Sequence, residues 1–166
     1  MKSKKKIKIE LYEEFEEVNF YTLNYDLKKE SEADDFFIRF CDEEKFEEDI
    51  DIISRMFEKI GQKGAELRYF RPEGKMNDQV GAIPERLYVA NLRLYAIRLS
   101  KNIVILRNGG EKNTKTYNED PYLNNCVEVL QDINHILNSR IQNGKVFEHN
   151  KVLTGYLTFY IQDEKK

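Results

Sequence analysis

The chain has 166 residues, of which 40% are hydrophobic and 34% charged, and carries a formal net charge of −3. That composition describes one globular domain, long enough to bury a core without disulfides or metals, and excludes a disordered or fibrous chain. No apolar run approaches the roughly 18 residues of a membrane-spanning helix, so no membrane partner is expected. The lysine-rich start, Met1 to Lys8, runs into acidic residues between Glu10 and Glu17 instead of an apolar stretch. No secretory signal is therefore expected, and the cytoplasm is the expected compartment.

Taken in chain order, Ile7 to Tyr12 alternates through Ile7, Ile9 and Leu11 and is a candidate strand. Phe20 to Leu27 alternates more clearly, with Tyr21, Leu23, Tyr25 and Leu27 on one side. Ser31 is a candidate N-cap for a short helix carrying Phe36, Phe37 and Phe40. A longer helix is expected from about Glu43, because Phe46, Ile50, Ile53, Phe57 and Ile60 step by four and three; Gly61 is its expected C′ residue.

Beyond Gly64 the pattern turns to short extended pieces. Leu67 to Arg71 ends at Pro72, Gly74 marks a loop, and Ile83-Pro84 marks another break. Arg86–Ala90, Leu92–Leu99 and Asn102–Arg107 are expected to be three successive strands of an antiparallel meander, the third ended by Asn108-Gly109-Gly110. Asp120 with Pro121 opens a closing helix whose apolar face runs from Leu123 to Ile141, with Gly144 as its terminator. Val152 to Ile161 is expected as one final strand, at a sheet edge. The expected fold class is α+β: an N-terminal strand and helices, an antiparallel meander sheet, a C-terminal helix and a last strand, in a single domain.

Charge is distributed unevenly. Residues 1–60 carry 11 Lys/Arg against 18 Asp/Glu, whereas 63–115 carry 11 against 5. The basic middle either faces phosphate, with the acidic front limiting indiscriminate binding, or the two are simply solvated surfaces. The carboxylate run at Glu43-Glu44 and Glu47-Glu48-Asp49 is expected to solvate a helix face. Cys41 and Cys126 are expected to be buried free thiols of a reducing compartment. Neither they nor His135 and His149 have metal-ligand spacing, so no metal is expected. No phosphate-binding loop, dinucleotide fingerprint or nucleophile elbow occurs, and no cofactor is expected.

The segment Ile103-Val104-Ile105-Leu106-Arg107-Asn108-Gly109-Gly110-Glu111-Lys112-Asn113-Thr114-Lys115-Thr116 joins an apolar strand to a small-residue turn and then to basic and hydroxyl residues ahead of a helix. With Arg93 opening the strand before it, this order resembles the RelE/ParE superfamily of toxins, in particular its HigB-like and phage-derived members. The resemblance covers about residues 20–141 and leaves 1–19 and 143–166 as extensions. Arg107 stands where many relatives have histidine, and Tyr117 where they have proline.

The resemblance implies the toxin component of a toxin–antitoxin system: a metal-independent endoribonuclease acting on mRNA, on the ribosome or free of it, and neutralised by a protein antitoxin. Arg93, Arg107, Lys112 and Lys115 are the candidate catalytic cations, since such cleavage needs positive charge on the phosphoryl oxygens. Arg98, Tyr95, Thr116 and Tyr117 are candidate RNA-binding residues, although strand parity sets Arg98 on the side opposite Arg93. No histidine supplies proton transfer; Glu111 and Tyr117 are the nearest titratable groups, and both are poor acids or bases at neutral pH without tuning. A catalytically inactive protein-binding module and a ParE-like gyrase inhibitor are the alternatives.

Overall fold

The computed structural model describes residues 4–73, 79–113 and 117–163. Among them are strands β1 (Lys5–Glu14) and β2 (Asn19–Tyr25), helices α1 (Glu32–Phe40) and α2 (Glu47–Lys63), and strands β3 (Arg71–Pro72), β4 (Val80–Ile83), β5 (Leu92–Ser100) and β6 (Ile103–Glu111). Helix α3 (Pro121–Gln142) and strands β7 (Val146–His149), β8 (Val152–Gly155) and β9 (Thr158–Ile161) complete the chain. The fold is α+β.

Seven strands form one twisted sheet in the order β3-β4-β5-β6-β2-β1-β9, and β7 and β8 form a separate hairpin. Neighbours in the large sheet run antiparallel, with one exception. Strand β2 lies parallel to β6, with Asn19 opposite Ile103 and Thr22 opposite Leu106. A parallel pair requires a crossover connection, and α1, α2 and the β3–β5 strands provide it.

Alternation along the strands divides the core into two layers. Phe20 of β2, Leu94 and Ala96 of β5 and Leu106 of β6 pack with Phe36, Ile53, Phe57 and Ile60 of α1 and α2. Phe20 stacks on Phe57 at 4.6 Å between centroids. On the other side Tyr21, Leu23, Tyr95, Ile97 and Ile105 meet Leu123, Cys126, Leu130 and Ile133 of α3. Helices α1 and α2 thus cover one side of the sheet and α3 the other. The caps follow local chemistry: Ser31 accepts from the Asp34 N–H at 3.2 Å, and Asp120 from Tyr122 and Leu123 at 2.9 and 3.1 Å.

Several expectations are corrected. Residues 86–90 form no strand; the strand before β5 is β4, and its residues are buried. Gly61 does not end α2, which runs to Lys63 and closes at Gly64 with φ 104°. Gly61 is small for packing, because a Cβ there would lie 2.2 Å from the Phe15 ring. Asn108-Gly109-Gly110 do not end β6 but lie within it. The last extended stretch is two strands, β8 and β9, broken at Gly155 with φ 110°. Both flanking segments contribute strands, β1 and β9, to the central sheet and are not appendages to it. Cys126 is buried as expected, but Cys41 is exposed. Within the acidic run, Asp49 does more than solvate a helix: its carboxylate accepts from the Asn91 and Leu92 N–H groups at 2.9 and 3.1 Å and fixes the start of β5.

Candidate functional site

A row of polar side chains crosses the α3 side of the sheet. Register places Arg71 opposite Ala82, and Ala82 opposite Tyr95. Between Leu94 and Ala96 the β5–β6 register slips, so that Leu94 pairs with Gly109 and Ala96 with Leu106. Two residues, Arg107 and Asn108, therefore oppose Tyr95, and the bulge resets alternation so that Gly110, opposite Arg93, also faces Leu123 of α3. Ala82, between Arg71 and Tyr95 in the register, carries only a methyl group and is fully buried.

Glu73 extends the row beyond Arg71 and is tied to β4 by its N–H on the Val80 carbonyl at 3.3 Å. Lys112, Arg93, Arg71 and Arg86, in that order, stabilise its carboxylate, yet burial outweighs them and holds its proton affinity above the ordinary carboxylate value. The two central arginines are fixed by backbone carbonyls. Arg71 donates to Pro84 at 2.7 Å and Tyr88 at 2.9 Å, and Arg93, 8% exposed, donates to Leu92 at 3.0 Å and to Ala90. Burial, then the charge of Arg93, pushes Arg71 down. Arg86, Leu87 and Val89 are exposed at the rim.

Tyr95 is fully buried, its hydroxyl has no hydrogen-bond partner, and burial raises its pKa. In this arrangement it has no free face for stacking on a base. Arg107 is 1% exposed and sits between carboxylates: Nη1 pairs with Glu32 of α1, Nη2 lies 3.7 Å from Asp163 and donates to Asn125 at 3.1 Å. The Tyr25 ring lies 5.1 Å from its guanidinium. Arg107 therefore reaches the same side as Arg93 and Tyr95, but beneath α3 and already neutralised.

Arg98 lies on the other side, donating to Ala65 beyond α2. Lys112 and Tyr117 are half-buried, and Lys112 donates its N–H to Asn91 at 2.8 Å. Lys115 and Thr116 lie outside the described residues. Glu111, near in sequence, points away from the cluster to Lys45 at 3.0 Å.

Sequence reasoning missed Glu73, Arg71 and Arg86. The signal was the compact word Arg71-Pro72-Glu73, in which alternation sets Arg71 and Glu73 on one side of a strand. Its weight came only with the knowledge that β3 lies two strands from β5. A second polar cluster joins α1 to the bulge: Arg39 donates to Asn108 Oδ1 and the Gly109 carbonyl at 2.6 Å each, while Asn108 donates to Asp35 at 2.9 Å. It ties the bulge to α1.

Comparison of the chain with family models, curated proteins and solved structures finds no match. Among the described residues, no helix is long and apolar enough to cross a membrane.

Proposed function

We propose that this chain is a RelE-like toxin, a cytoplasmic endoribonuclease that cleaves mRNA, on the ribosome or free, and is held in check by a protein antitoxin. The observation that carries the reading is the register that sets Arg71 and Arg93 on one side of the sheet, next to the half-buried Glu73, whose carboxylate the charges of Lys112, Arg93, Arg71 and Arg86 stabilise. Four cations offer a site for the phosphoryl oxygens. A carboxylate with raised proton affinity supplies the base that residues 93–117 lack. In the proposed step Glu73 takes the proton of the 2′-hydroxyl as that oxygen bonds to phosphorus. The bond to the 5′ oxygen breaks, and solvent protonates the leaving oxygen. The products are a 2′,3′-cyclic phosphate and a 5′-hydroxyl. The order of α1, α2, the β4–β6 meander and α3 also supports the resemblance to RelE-like toxins.

Glu73→Gln tests the assignment. In a translating extract, the variant is expected to cleave mRNA about 100-fold more slowly or worse, the usual share of a general base, while retaining RNA binding. The base must be ionised, so the native rate is expected to rise with pH through the elevated pKa of Glu73, above the carboxylate reference of about 4.3. The variant should lack that limb. Cleavage by Glu73→Gln at the native rate would remove Glu73 from the mechanism.

A protein-binding module is the second reading. It is favoured by the burial of Arg107 and Tyr95 and by β9, which among the described residues ends the sheet order beside β1, although Arg140 already donates to its Thr158 carbonyl at 2.7 Å. Tight partner binding by a folded chain that cleaves no RNA would select it.

A further inference from the structure

We propose that Arg107, Tyr25 and Asn125 form a phosphate-binding cradle whose resident occupant is the Asp163 carboxylate of the chain's own last described segment. Three elements converge on that carboxylate. The Tyr25 hydroxyl of β2 donates to Oδ2, Asn125 of α3 donates to Oδ1 at 2.7 Å, and Arg107 of β6 stands 3.7 Å from Oδ2. Asp163 is 5% exposed although it lies beyond the end of β9, outside any strand pairing. A carboxylate delivered by an unpaired segment into a buried set of donors is bound as a ligand is bound.

The location supports a ligand site independently. Strands β2 and β6 are parallel neighbours, and the helices that follow them, α1 and α3, lie on opposite sides of the sheet. In open α/β sheets, the crevice beyond the carboxyl ends of such a strand pair is where ligands bind. Tyr25 is the last residue of β2, and Arg107 lies one residue past the parallel pairing in β6.

The cradle also has donor capacity that Asp163 leaves unused. Arg107 Nε is buried without a hydrogen-bond partner. Glu32 occupies Nη1 and Asn125 Oδ1 accepts from Nη2 at 3.1 Å, so Nε is the donor that remains for an anion. A phosphate group presents more acceptor oxygens than a planar carboxylate, and guanidinium is suited to holding them. The cradle lies on the row that runs through Tyr95 to Arg93. Displacement of Asp163 would cost Asn125 a contact that fastens the start of α3.

Thiol labelling tests this without reference to nuclease activity. Cys126 is buried under α3, and the exposed Cys41 serves as the internal reference. In Asp163→Asn, and in a chain ending at Ile161, Cys126 is expected to label about tenfold faster or more relative to Cys41, the factor given by loss of one charge-assisted hydrogen bond. Inorganic phosphate should restore slow labelling, or restore folding where a variant has lost it, while chloride at matched ionic strength should not. A short single-stranded oligoribonucleotide that protects at lower concentration than phosphate would assign the cradle to the RNA backbone; protection by phosphate alone would assign it to a small anion. Unchanged labelling in both variants, or faster labelling that neither phosphate nor RNA reverses, would overturn the proposal and leave the Glu73 site unaffected.

Discussion

Replacing Arg107 by Met is expected to lower the stability of the fold by about 3–5 kcal/mol, the cost of leaving buried charges without their partner. Glu32 and Asp163 are both buried, and Arg107 is the cation that stands between them. Methionine fills much of the same volume, so the loss is electrostatic more than steric. The sign of the coupling checks the explanation. In the Arg107→Met background, adding Glu32→Gln should recover part of the loss, whereas Glu32→Gln in the native chain should be destabilising because it weakens a made pair. Denaturant unfolding of the four proteins measures the coupling. A small loss for Arg107→Met, or simple additivity of the two changes, would mean that the buried network contributes little.

The second large effect is at Gly109. A Cβ there would lie 1.7 Å from the Arg93 carbonyl oxygen and 2.8 Å from its carbon, contacts that only a separation of β5 from β6 relieves. Gly109→Ala is therefore expected to cost about 3 kcal/mol or more, the upper end of overpacking penalties. Gly110→Ala is the internal control. Its nearest contact is the Leu123 side chain at 3.5 Å, an ordinary van der Waals separation, so it should be tolerated. Two adjacent glycines that are equivalent in the sequence thus have opposite expected outcomes in thermal unfolding. The Gly109 change should also displace Arg93, whose carbonyl it strikes, and weaken the cationic cluster. Equal stability of the two variants would refute the close approach of β5 and β6 at the bulge.

That pair of glycines marks where the sequence stops being legible. The α+β class, the Ser31 and Asp120 caps and the apolar faces of α2 and α3 follow from local periodicity, because caps and stripes depend on neighbours three and four residues away. Gly109 and Gly110 read as a turn, since a close approach between strands leaves the same residues as a chain reversal. Strand β4 was hidden because Val80-Gly81-Ala82-Ile83 is too short and too uniformly buried to alternate. The parallel β2–β6 pair is a contact between segments more than 80 residues apart, which no local pattern encodes.

The candidate site was legible in part for the same reason. Arg93 and Lys112 could be named from their own segment, and parity separated Arg98 from them. Burial of Arg107 against Glu32 and Asp163 depends on three distant segments, and so does the place of Glu73. Lys112, Arg93, Arg71 and Arg86, all from the basic middle of the chain, stabilise the carboxylate of Glu73, a residue whose sequence neighbours mark only a loop.

The central claim, a ribonuclease toxin built on this cluster, is tested most directly by induced expression in a bacterial host, following growth and the integrity of a reporter mRNA. Growth arrest with mRNA cleavage is expected of the native chain, and normal growth with intact mRNA of Arg93→Ala/Lys112→Ala at equal soluble expression. Unimpaired growth and intact mRNA with the folded native chain would contradict it, as would cleavage that persists undiminished in the double variant.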